Sequence, residues 1–442
     1  MRVTCFFWAA LLTFAALPCP AAWKAGVARV NITPAESIWM AGYASRDHPS
    51  EGVYAPLYVK ALALEDETGK SYVLVSSDLL GFTRSMSDAV FERVAGPHSL
   101  TRDRLVLNAS HTHSGPVTGQ LLRPAYILEP EDEVVVKRYT AKLVEQTAEL
   151  IGRALAKLEP VELSFEQGFA GFAVNRRRVG HREYPGPVDH DVPVLAIRKL
   201  GGDLSAVLFG YSCHATVTSD YEIHGDWPGF AQSEIERIYP ETVALFINGC
   251  GADQNPLPRR RIELARKYGE TLAVAVQLVL EAKMKPVAGP LRTVHDTVRL
   301  PLQVAPTRAE LERRRREGSR AERQSAAFLL AKLDRGESLP DGYDYPIQVW
   351  RFGGDLTFIS LAGEVVADYS LILKKKFGWD NTWVSGYNND VFAYIPTRRI
   401  VREGGYEGAT SMLGYGLPAP FEESVEDLII DKVEELRRRL GP

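Results

Sequence analysis

Two histidines close one apolar segment of the sequence. Residues 105–110 (LVLNAS) have the composition of a buried strand, which leads into His111, Thr112, His113 and a Ser-Gly-Pro turn. Because residues two apart on a strand share a face, His111 and His113 are expected to point the same way from its end. Two imidazoles at a strand end, where open α/β folds keep their sites, indicate a metal site. The alternative is one packed and one exposed histidine.

Other predicted strands also end in side chains that can do chemistry. These side chains are Asp78, His214, Asp253 and Glu364. Scattered surface polarity would not choose strand ends repeatedly, and two histidines with a carboxylate are common zinc ligands that leave a position for water or substrate. Each acid also has a simpler explanation. Asp78 either orients a histidine or caps the helix expected over 83–95, and Glu364 is either a ligand or a helix cap.

Two loops next to these strand ends are candidates for substrate contact. Arg176, Arg177 and Arg178 form a basic loop after a strand, which is a usual place for a substrate-facing arginine, although most basic clusters are solvated surface. Gly249 and Gly251 flank Cys250 at another strand end. There they either let the backbone approach a ligand or form a tight turn into the next helix.

The elements that must position these residues alternate between strand and helix patterns. Strands are predicted at 23–34, 57–64, 71–77, 163–172, 192–200, 204–212, 242–248, 345–352, 356–361 and 382–385. Helices are predicted at 83–95, 130–158, 230–238, 259–284, 307–335 and 422–440, the fifth as one solvated surface helix opened by a capping box. This order predicts an α/β fold, with mixed β-sheets flanked by helices in a single large domain.

Composition and the N-terminus indicate the compartment. The chain has 442 residues, and its net charge of −4 gives no basic field for nucleic acid. Residues 1–22 are expected to be a signal peptide, with Arg2 before an apolar stretch too short to span a bilayer; an uncleaved anchor is the alternative. Residues 23–442 would then be one exported domain, secreted or periplasmic. Its two cysteines, Cys213 and Cys250, form either a single bridge or two buried thiols.

The motifs, taken in order, resemble the catalytic domain of the neutral, non-lysosomal ceramidases, which are zinc amidases that cleave the N-acyl bond of ceramide. The resemblance covers roughly residues 25–415, and its most specific piece is HTHSGP. The matching segments are Asn31–Pro34, Met40–Ala44, Ser110–Pro116, Asn175–Arg176, Cys213–Thr216, Gly225–Asp226, Ala362–Glu364, Tyr394–Thr397 and Tyr406–Gly408.

The resemblance implies a ligand set and several roles. Zinc would be held by His111, His214, Glu364 and Tyr394. His113 would lie beside the metal and steady the oxyanion, and Arg176 would contact substrate or help to balance charge. Spacing alone would not have identified Tyr394, which without the family would be interpreted as core.

This sequence departs from the family pattern in two ways. Where ceramidases have a serine proposed to act in catalysis, within Gly-Asp-x-Ser-Pro, this chain has Asn255 within Ala252–Pro256. Asparagine cannot be that nucleophile, but it can donate to an oxyanion. Ceramidases also continue into a further β-rich domain, which this chain is expected to lack.

The leading hypothesis is therefore a zinc-dependent amidohydrolase of ceramidase type, acting in sphingolipid metabolism, in which water activated by the metal is the nucleophile. Its catalytic residues would be His113, Arg176, Asp253 and Asn255, with Asp253 or Asp226 relaying the proton. The substrate would be a lipid-like N-acyl compound met in transient contact with a membrane surface, and no obligate protein partner is indicated. The alternatives are a zinc hydrolase of an ester or another N-acylated substrate, such as an N-acylated sugar, and an exported binding protein without turnover.

Overall fold

The structure, a computed structural model, describes residues 23–178 and 186–441; the expected signal peptide lies outside them. In this part of the chain the strands are β1 (Trp23–Asn31), β2 (Gly52–Val53), β3 (Tyr58–Glu65), β4 (Ser71–Ser77), β5 (Leu105–Ala109), β6 (Glu159–Phe169), β7 (Ala173–Asn175), β8 (Asp191–Lys199), β9 (Leu204–Tyr211), β10 (Glu222–Ile223), β11 (Val243–Asn248), β12 (Gln254–Pro256), β13 (Lys285–Val287), β14 (Leu291–Pro301), β15 (Gly342–Phe352), β16 (Leu356–Leu361), β17 (Glu364–Val365), β18 (Thr382–Ser385) and β19 (Tyr394–Ile395). The α-helices are α1 (Arg84–His98), α2 (Pro130–Leu155), α3 (Asp226–Ile238), α4 (Ile262–Glu281), α5 (Arg308–Glu317), α6 (Arg320–Asp334), α7 (Ala367–Phe377), α8 (Arg398–Glu403), α9 (Met412–Tyr415) and α10 (Val425–Arg439).

Two stacked sheets with helices on both outer faces form the core. The larger, mixed sheet has the strand order β11-β9-β8-β6-β1-β3-β4-β5, with β13 beside β6, and the smaller has the order β14-β15-β16-β18. Helices α1 to α4 cover the outer face of the larger sheet, while α7 and α10 cover the smaller one. Large aromatic side chains such as Trp350, Phe358 and Trp383 fill the space between the sheets. The predicted α/β class with mixed sheets is confirmed.

The continuous apolar sequences of the central strands follow from this layering. On β3, Val59, Ala61 and Ala63 face the outer helices, whereas Leu62 and Leu64 face the second sheet. Successive side chains of a strand point to opposite faces, so a strand buried on both faces needs a continuous apolar run rather than an alternating one.

The larger sheet coils so that its last strand crosses three others. Lys60 on β3 donates to the carbonyl of Ala244 and Ser76 on β4 to that of Phe246, at 2.8 and 2.6 Å, while the N–H of Asn248 donates to the side chain of Asn108 on β5. These bonds satisfy the free edge of β11, which would otherwise be unpaired. The coil brings the ends of β5 and β11 together, with β9 alongside.

One predicted helix is two. The expectation of a single solvated helix over 307–335 is wrong, because the chain is extended at Gly318 and Ser319 starts a new helix with a reciprocal capping box to Glu322. Any side chain at Gly318 would lie 2.6 Å from the carbonyl of Arg314. The two helices bury Leu311 and apolar residues of α6 against each other.

The structure also decides between the alternatives for Asp78 and for the two cysteines. Asp78 neither orients a histidine nor caps α1, since its carboxylate accepts from Tyr58 N–H and Gln232 and the cap is Thr83. Cys213 and Cys250 are buried free thiols. No helix within the described ranges has the length and apolarity needed to cross a bilayer.

Candidate active site

Three buried histidines meet where β5 and β9 end. The ligand atoms of His111, His113 and His214 lie within 4.8 Å of one another. Strand alternation is not what pairs the first two, because β5 ends at Ala109 and His111 has a left-handed backbone with φ of 59°. An isolated parallel bridge between Thr112 and Ala215 instead sets the two histidine loops side by side.

A carboxylate and a phenol from a separate two-stranded sheet complete the cluster. Glu364 and Tyr394 are register partners in the short parallel pair of β17 and β19. Oε2 of Glu364 lies 3.1 Å from Nε2 of His111 and 3.1 Å from Nε2 of His214. The hydroxyl of Tyr394 lies 3.2 Å from the same His214 nitrogen. The four ligands expected from the resemblance therefore converge on one point.

Hydrogen bonds fix the tautomers of His111 and His214. Nδ1 of His111 lies 2.7 Å from the carbonyl of Leu80, and Nδ1 of His214 lies 2.8 Å from that of Gly251. A carbonyl can only accept, so each Nδ1 must carry the proton. In the neutral ring Nε2 then presents a lone pair, and it faces Glu364, which when ionised can also only accept. Hydrogen-bond acceptors that face one another at 3.1 Å repel unless a cation lies between them. Their lone pairs are the ligands that such a cation requires.

Burial sets the charge of the surrounding groups. Desolvation, followed by the charge of Arg176, lowers the pKa of His214 to about 4, so the ring is neutral at pH 7. Desolvation would raise the pKa of Glu364, but attraction of its carboxylate to His111 and His214 in their protonated form outweighs it and holds that pKa well below its usual range. Burial raises the pKa of Tyr394 well above its usual range, against the opposing charge of Arg176.

Two further residues hold the carboxylate and the phenol in place. Nη2 of Arg176 donates to the hydroxyl of Tyr394 at 3.1 Å, while its Nε forms a 2.6 Å ion pair with Glu407. The hydroxyl of Tyr415 donates to Oε1 of Glu364. Both oxygens of the carboxylate are thus oriented, one towards the histidines and one towards Tyr415. Arg176 has the charge-balancing position that the resemblance implied.

His113 lies beside the other two histidines without a hydrogen bond. Neither of its buried ring nitrogens has a partner among the described residues. Its ring lies 5.0 Å from that of His111 and 4.8 Å, edge-on, from that of Tyr43. Gly42 makes this packing possible, since a Cβ there would lie 2.3 Å from Nδ1 of His113 and the glycine has φ of 94°. Burial, then the neighbouring histidines, lowers the pKa of His113 well below its usual value.

Both acids that are predicted proton relays accept hydrogen bonds from nearby segments. The carboxylate of Asp253 accepts from Ala367 N–H and from Asn175, both at 2.9 Å. That of Asp226 accepts from the N–H groups of Val217, Thr218 and Trp227. Burial raises their pKa values to about 6 and about 7 respectively. Neither carboxylate has a hydrogen bond to the three histidines within the described residues, which favours a positioning role for both.

Asn255 is the residue that stands where the resemblance expects a serine. It lies in β12, paired with β7 immediately before Arg176, and it is buried. Its Oδ1 accepts from the hydroxyl of Thr216 at 3.4 Å. Within the described ranges its amide nitrogen has no hydrogen-bond partner, so it is available as a donor.

Residues 23–249 match the neutral/alkaline non-lysosomal ceramidase family, N-terminal domain. The chain belongs to this family. Among similar proteins, the neutral ceramidase of Drosophila melanogaster is 22% identical over 237 residues, which are 50% of this chain and 33% of that protein. Neutral ceramidase A of Dictyostelium discoideum is 24% identical over 225 residues, 47% of this chain and 31% of its own. The matched segment thus spans about one third of these relatives.

The fold likeness extends over nearly the whole chain. A crystal structure of neutral ceramidase from Pseudomonas aeruginosa superposes with a TM-score of 0.74 at 20% identity, covering 96% of this chain and 75% of that one. A ceramidase complexed with C2 gives 0.73 at 19% identity, covering 95% and 76%. The likeness therefore includes the C-terminal half, which supplies Glu364 and Tyr394 and lies beyond the family match.

Three site residues of this family member escaped sequence reasoning. Tyr415 contacts Glu364, Glu407 pairs with Arg176, and the buried ring of Tyr387 lies 4.6 Å from that of His111. Glu407 lies inside a matching motif, which was a usable signal. Tyr387 and Tyr415 lie in segments whose composition resembles that of core and surface, so nothing in their spacing marks them.

The two glycines flanking Cys250 allow a close backbone approach. A Cβ at Gly249 would lie 2.2 Å from Oγ of Ser212, and one at Gly251 would lie 2.6 Å from the backbone nitrogen of Cys213. The turn packs directly on the loop that carries His214, and the carbonyl of Gly251 orients that histidine. The approach is to the protein's own chain and not to a ligand, and the turn leads into the short strand β12 before the next helix.

Proposed function

We propose that this chain is a zinc-dependent amidohydrolase that cleaves N-acyl bonds of lipid-like substrates, as a ceramidase does. One observation carries the proposal: Oε2 of Glu364 lies 3.1 Å from two Nε2 atoms whose tautomers leave them as acceptors. Histidine and carboxylate donors in a closed, buried cluster suit zinc, and the second hydrogen bonds to Leu80 and Gly251 are the kind that ligand histidines make.

The residues that would hold zinc are His111, His214, Glu364 and Tyr394. A bound zinc supplies a Lewis acid that polarises the scissile carbonyl and lowers the pKa of water to about 7. Arg176 supports a phenolate at Tyr394, because its guanidinium lies 3.1 Å from that oxygen. The pairing of Arg176 with Glu407 keeps the guanidinium fixed in that position.

The protein's own donors would act on the oxyanion. His113 is buried and neutral, and its ring nitrogens have no hydrogen-bond partner among the described residues, so the ring N–H is free for a substrate oxygen. The amide nitrogen of Asn255 is free in the same sense. Because asparagine replaces the family's serine, attack by water without an acyl-enzyme is the simpler route. Asp253 and Asp226 would position the surrounding loops, and a relay by either stays a prediction.

The compartment and the exact bond belong to the proposal as well. A signal peptide over residues 1–22 would send the domain across a membrane, where it would meet N-acyl lipids at a membrane surface. Asn255 favours a second candidate, a zinc hydrolase of esters or other N-acylated compounds. Both candidates need the same metal centre and differ only in substrate.

Zinc content of the purified mature protein, measured together with hydrolysis of a fluorescent short-chain ceramide, tests the proposal. One zinc per chain with turnover supports it, and zinc without turnover moves the test to a panel of N-acyl and ester substrates. His111→Ala should lose both zinc and turnover, whereas His98→Ala, in the last turn of α1, should keep both. Hydrolysis that survives in zinc-free His111→Ala would refute the metal mechanism. A wild-type protein that never takes up zinc would leave the binding-protein alternative.

A further inference from the structure

A second basic segment, Arg259–Arg261, lies close to the histidine cluster. It begins three residues after the end of β12, and the Arg260 N–H donates to the carbonyl of Val217, three residues after His214. The guanidinium of Arg260 lies 5.7 Å from the ring of Tyr43. Because that ring packs edge-on against His113, a single aromatic side chain separates Arg260 from the cluster.

Every arginine of the first basic loop forms an ion pair with a glutamate. Arg176 pairs with Glu407, Arg177 with both Glu403 and Glu407, and Arg178 with Glu403, at distances of 2.6 to 2.9 Å. These arginines therefore have little capacity for an additional anion. The loop that sequence analysis marked as substrate-facing is held inside the protein's own ion-pair network.

The second segment is not neutralised in this way. Among the described residues Arg259 has neither a hydrogen bond nor an ion pair, although it is partly buried. Burial, followed by repulsion from Arg260, lowers the pKa of Arg259. Arg260 makes only a long 3.5 Å contact to the hydroxyl of Tyr43. Arg260 and Arg261 are both exposed, but Arg261 differs from the other two because it pairs with Glu263.

A further guanidinium lies over the ring of Tyr43, as that of Arg260 does. Arg46 is buried, with its guanidinium 5.0 Å from the ring of Tyr43, and its terminal nitrogens donate only to backbone carbonyls, one of them that of His113. The nearest acids do not compensate. The carboxylate of Asp226 accepts hydrogen bonds from backbone N–H groups. Asp220 contacts Arg46 only through its backbone carbonyl, and its carboxylate is about half exposed.

Arg46 and Arg260 thus lie over the ring of Tyr43, and Arg259 is the chain neighbour of Arg260. None of the three has a carboxylate within ion-pair distance in the described chain. Partial desolvation of an unpaired guanidinium is unfavourable, and an anion that binds there recovers that free energy through charge-assisted hydrogen bonds. Arginine suits carboxylate and phosphate because its planar fork matches their oxygens. Ceramide, a neutral amide, offers no charged acceptor to such a group.

We propose that the substrate is an N-acyl amide whose amine portion carries an anionic oxygen group, which Arg259 and Arg260 bind beside Tyr43. The inference rests on the proposed function and specifies its substrate class. It places the scissile carbonyl at the histidine cluster and the anion on the far side of Tyr43. Arg46 adds to the positive field from beneath the ring without contacting the anion.

Three compounds with one acyl chain test the inference. N-dodecanoylglycine offers a carboxylate, N-dodecanoylphosphoethanolamine offers a phosphate, and N-dodecanoylethanolamine is neutral. For each, kcat/KM is measured with the zinc-loaded enzyme, and Kd is measured by calorimetry on zinc-free protein. Arg259→Ala is compared with Arg261→Ala, which removes a neighbouring arginine already paired with Glu263.

The wild type should favour at least one anionic compound over the neutral one by about tenfold or more, the scale of a hydrogen bond to a charged group. Arg259→Ala should abolish that preference in both kcat/KM and Kd, and Arg261→Ala should retain it. Which anion is favoured distinguishes a carboxylate from a phosphate. Equal use of all three by the wild type, or an equal loss on all three in Arg259→Ala, would overturn the inference.

The two proposals fail in different ways. If the anionic compounds bind more tightly through Arg259 but none is hydrolysed, the anion site stands and the amidase proposal falls for this class. If all three are hydrolysed without a preference for charge, the amidase stands and the anion site is refuted. If the wild type does not bind either anionic compound more tightly than the neutral one, the anion site is refuted whatever the turnover.

Discussion

The substitution Glu364→Gln distinguishes two roles for this carboxylate, that of a metal ligand and that of the partner in a buried ion pair. The substitution keeps the size of the side chain, removes its charge and gives it an N–H donor. In the zinc-free protein Oε2 of Glu364 faces two Nε2 lone pairs at 3.1 Å. An amide at this position would donate to one of them, so the zinc-free variant should be more stable than zinc-free wild type.

The size of both effects follows from these contacts. Relieving one unsatisfied buried group is worth about 1 kcal/mol in the free energy of unfolding, which for a protein of this length raises Tm by roughly 2 °C or less. Zinc at a hundred times the wild-type Kd stabilises wild type by about 2.7 kcal/mol. Mutating a residue that only supports a ligand can raise Kd by ~100-fold, so loss of the ligand itself should raise it by at least as much. At the same zinc concentration the stabilisation of the variant by zinc would then be about 0.4 kcal/mol.

Thermal unfolding with and without zinc measures both quantities on the same two proteins. The expected pattern is a small gain in Tm without zinc and a much smaller zinc-induced rise in Tm. The opposite pattern would refute the reasoning. If Glu364 is the partner of a protonated histidine rather than a ligand, the zinc-free variant should lose about 3 kcal/mol or more, and zinc should not stabilise wild type.

Three further substitutions test the surroundings of the cluster. Gly42→Ala places a Cβ 2.3 Å from Nδ1 of His113, so kcat should fall while zinc content stays at one per chain; unchanged kcat would show that His113 is not needed where it lies. Tyr415→Phe removes the hydrogen bond to the ligand carboxylate and should weaken zinc binding by about 10- to 100-fold, whereas Tyr369→Phe, a buried tyrosine that donates to a backbone carbonyl, should not change it. Asn255→Ala should lower kcat by about 100-fold at constant zinc content, and an unchanged rate would remove that residue from the mechanism.

Sequence reasoning reached the fold class and the histidines because both depend on local patterns. Apolar runs bounded by turn residues located most strands, and histidines at strand ends marked the site. The physical reason first given for pairing His111 with His113 was wrong, however. It invoked strand alternation, whereas the chain leaves the strand two residues earlier and a bridge to Ala215 sets the geometry.

Long-range contacts account for what the sequence did not reveal. That Glu403 and Glu407 pair with the first basic loop depends on a contact between segments more than 220 residues apart. The coil that brings β11 across β3 to β5 depends on polar side chains of those strands, which look like surface residues in isolation. Tyr394 was identified only through the family, because a buried tyrosine ligand and a core tyrosine have the same local sequence.

The ligand set is divided between the two layers of the fold. His111 and His214 follow strands of the larger sheet, and Glu364 and Tyr394 belong to the segment around the smaller one. A cation bound by all four would act as a cross-link between the two sheets and close loops of up to 283 residues, as the numbering of the outermost ligands, 111 and 394, gives. The described chain has no disulfide to do this, since Cys213 and Cys250 remain thiols. Loading the metal should therefore tie the docking of the sheets to the assembly of the catalytic centre, so that amide protons between the layers exchange more slowly in the loaded protein.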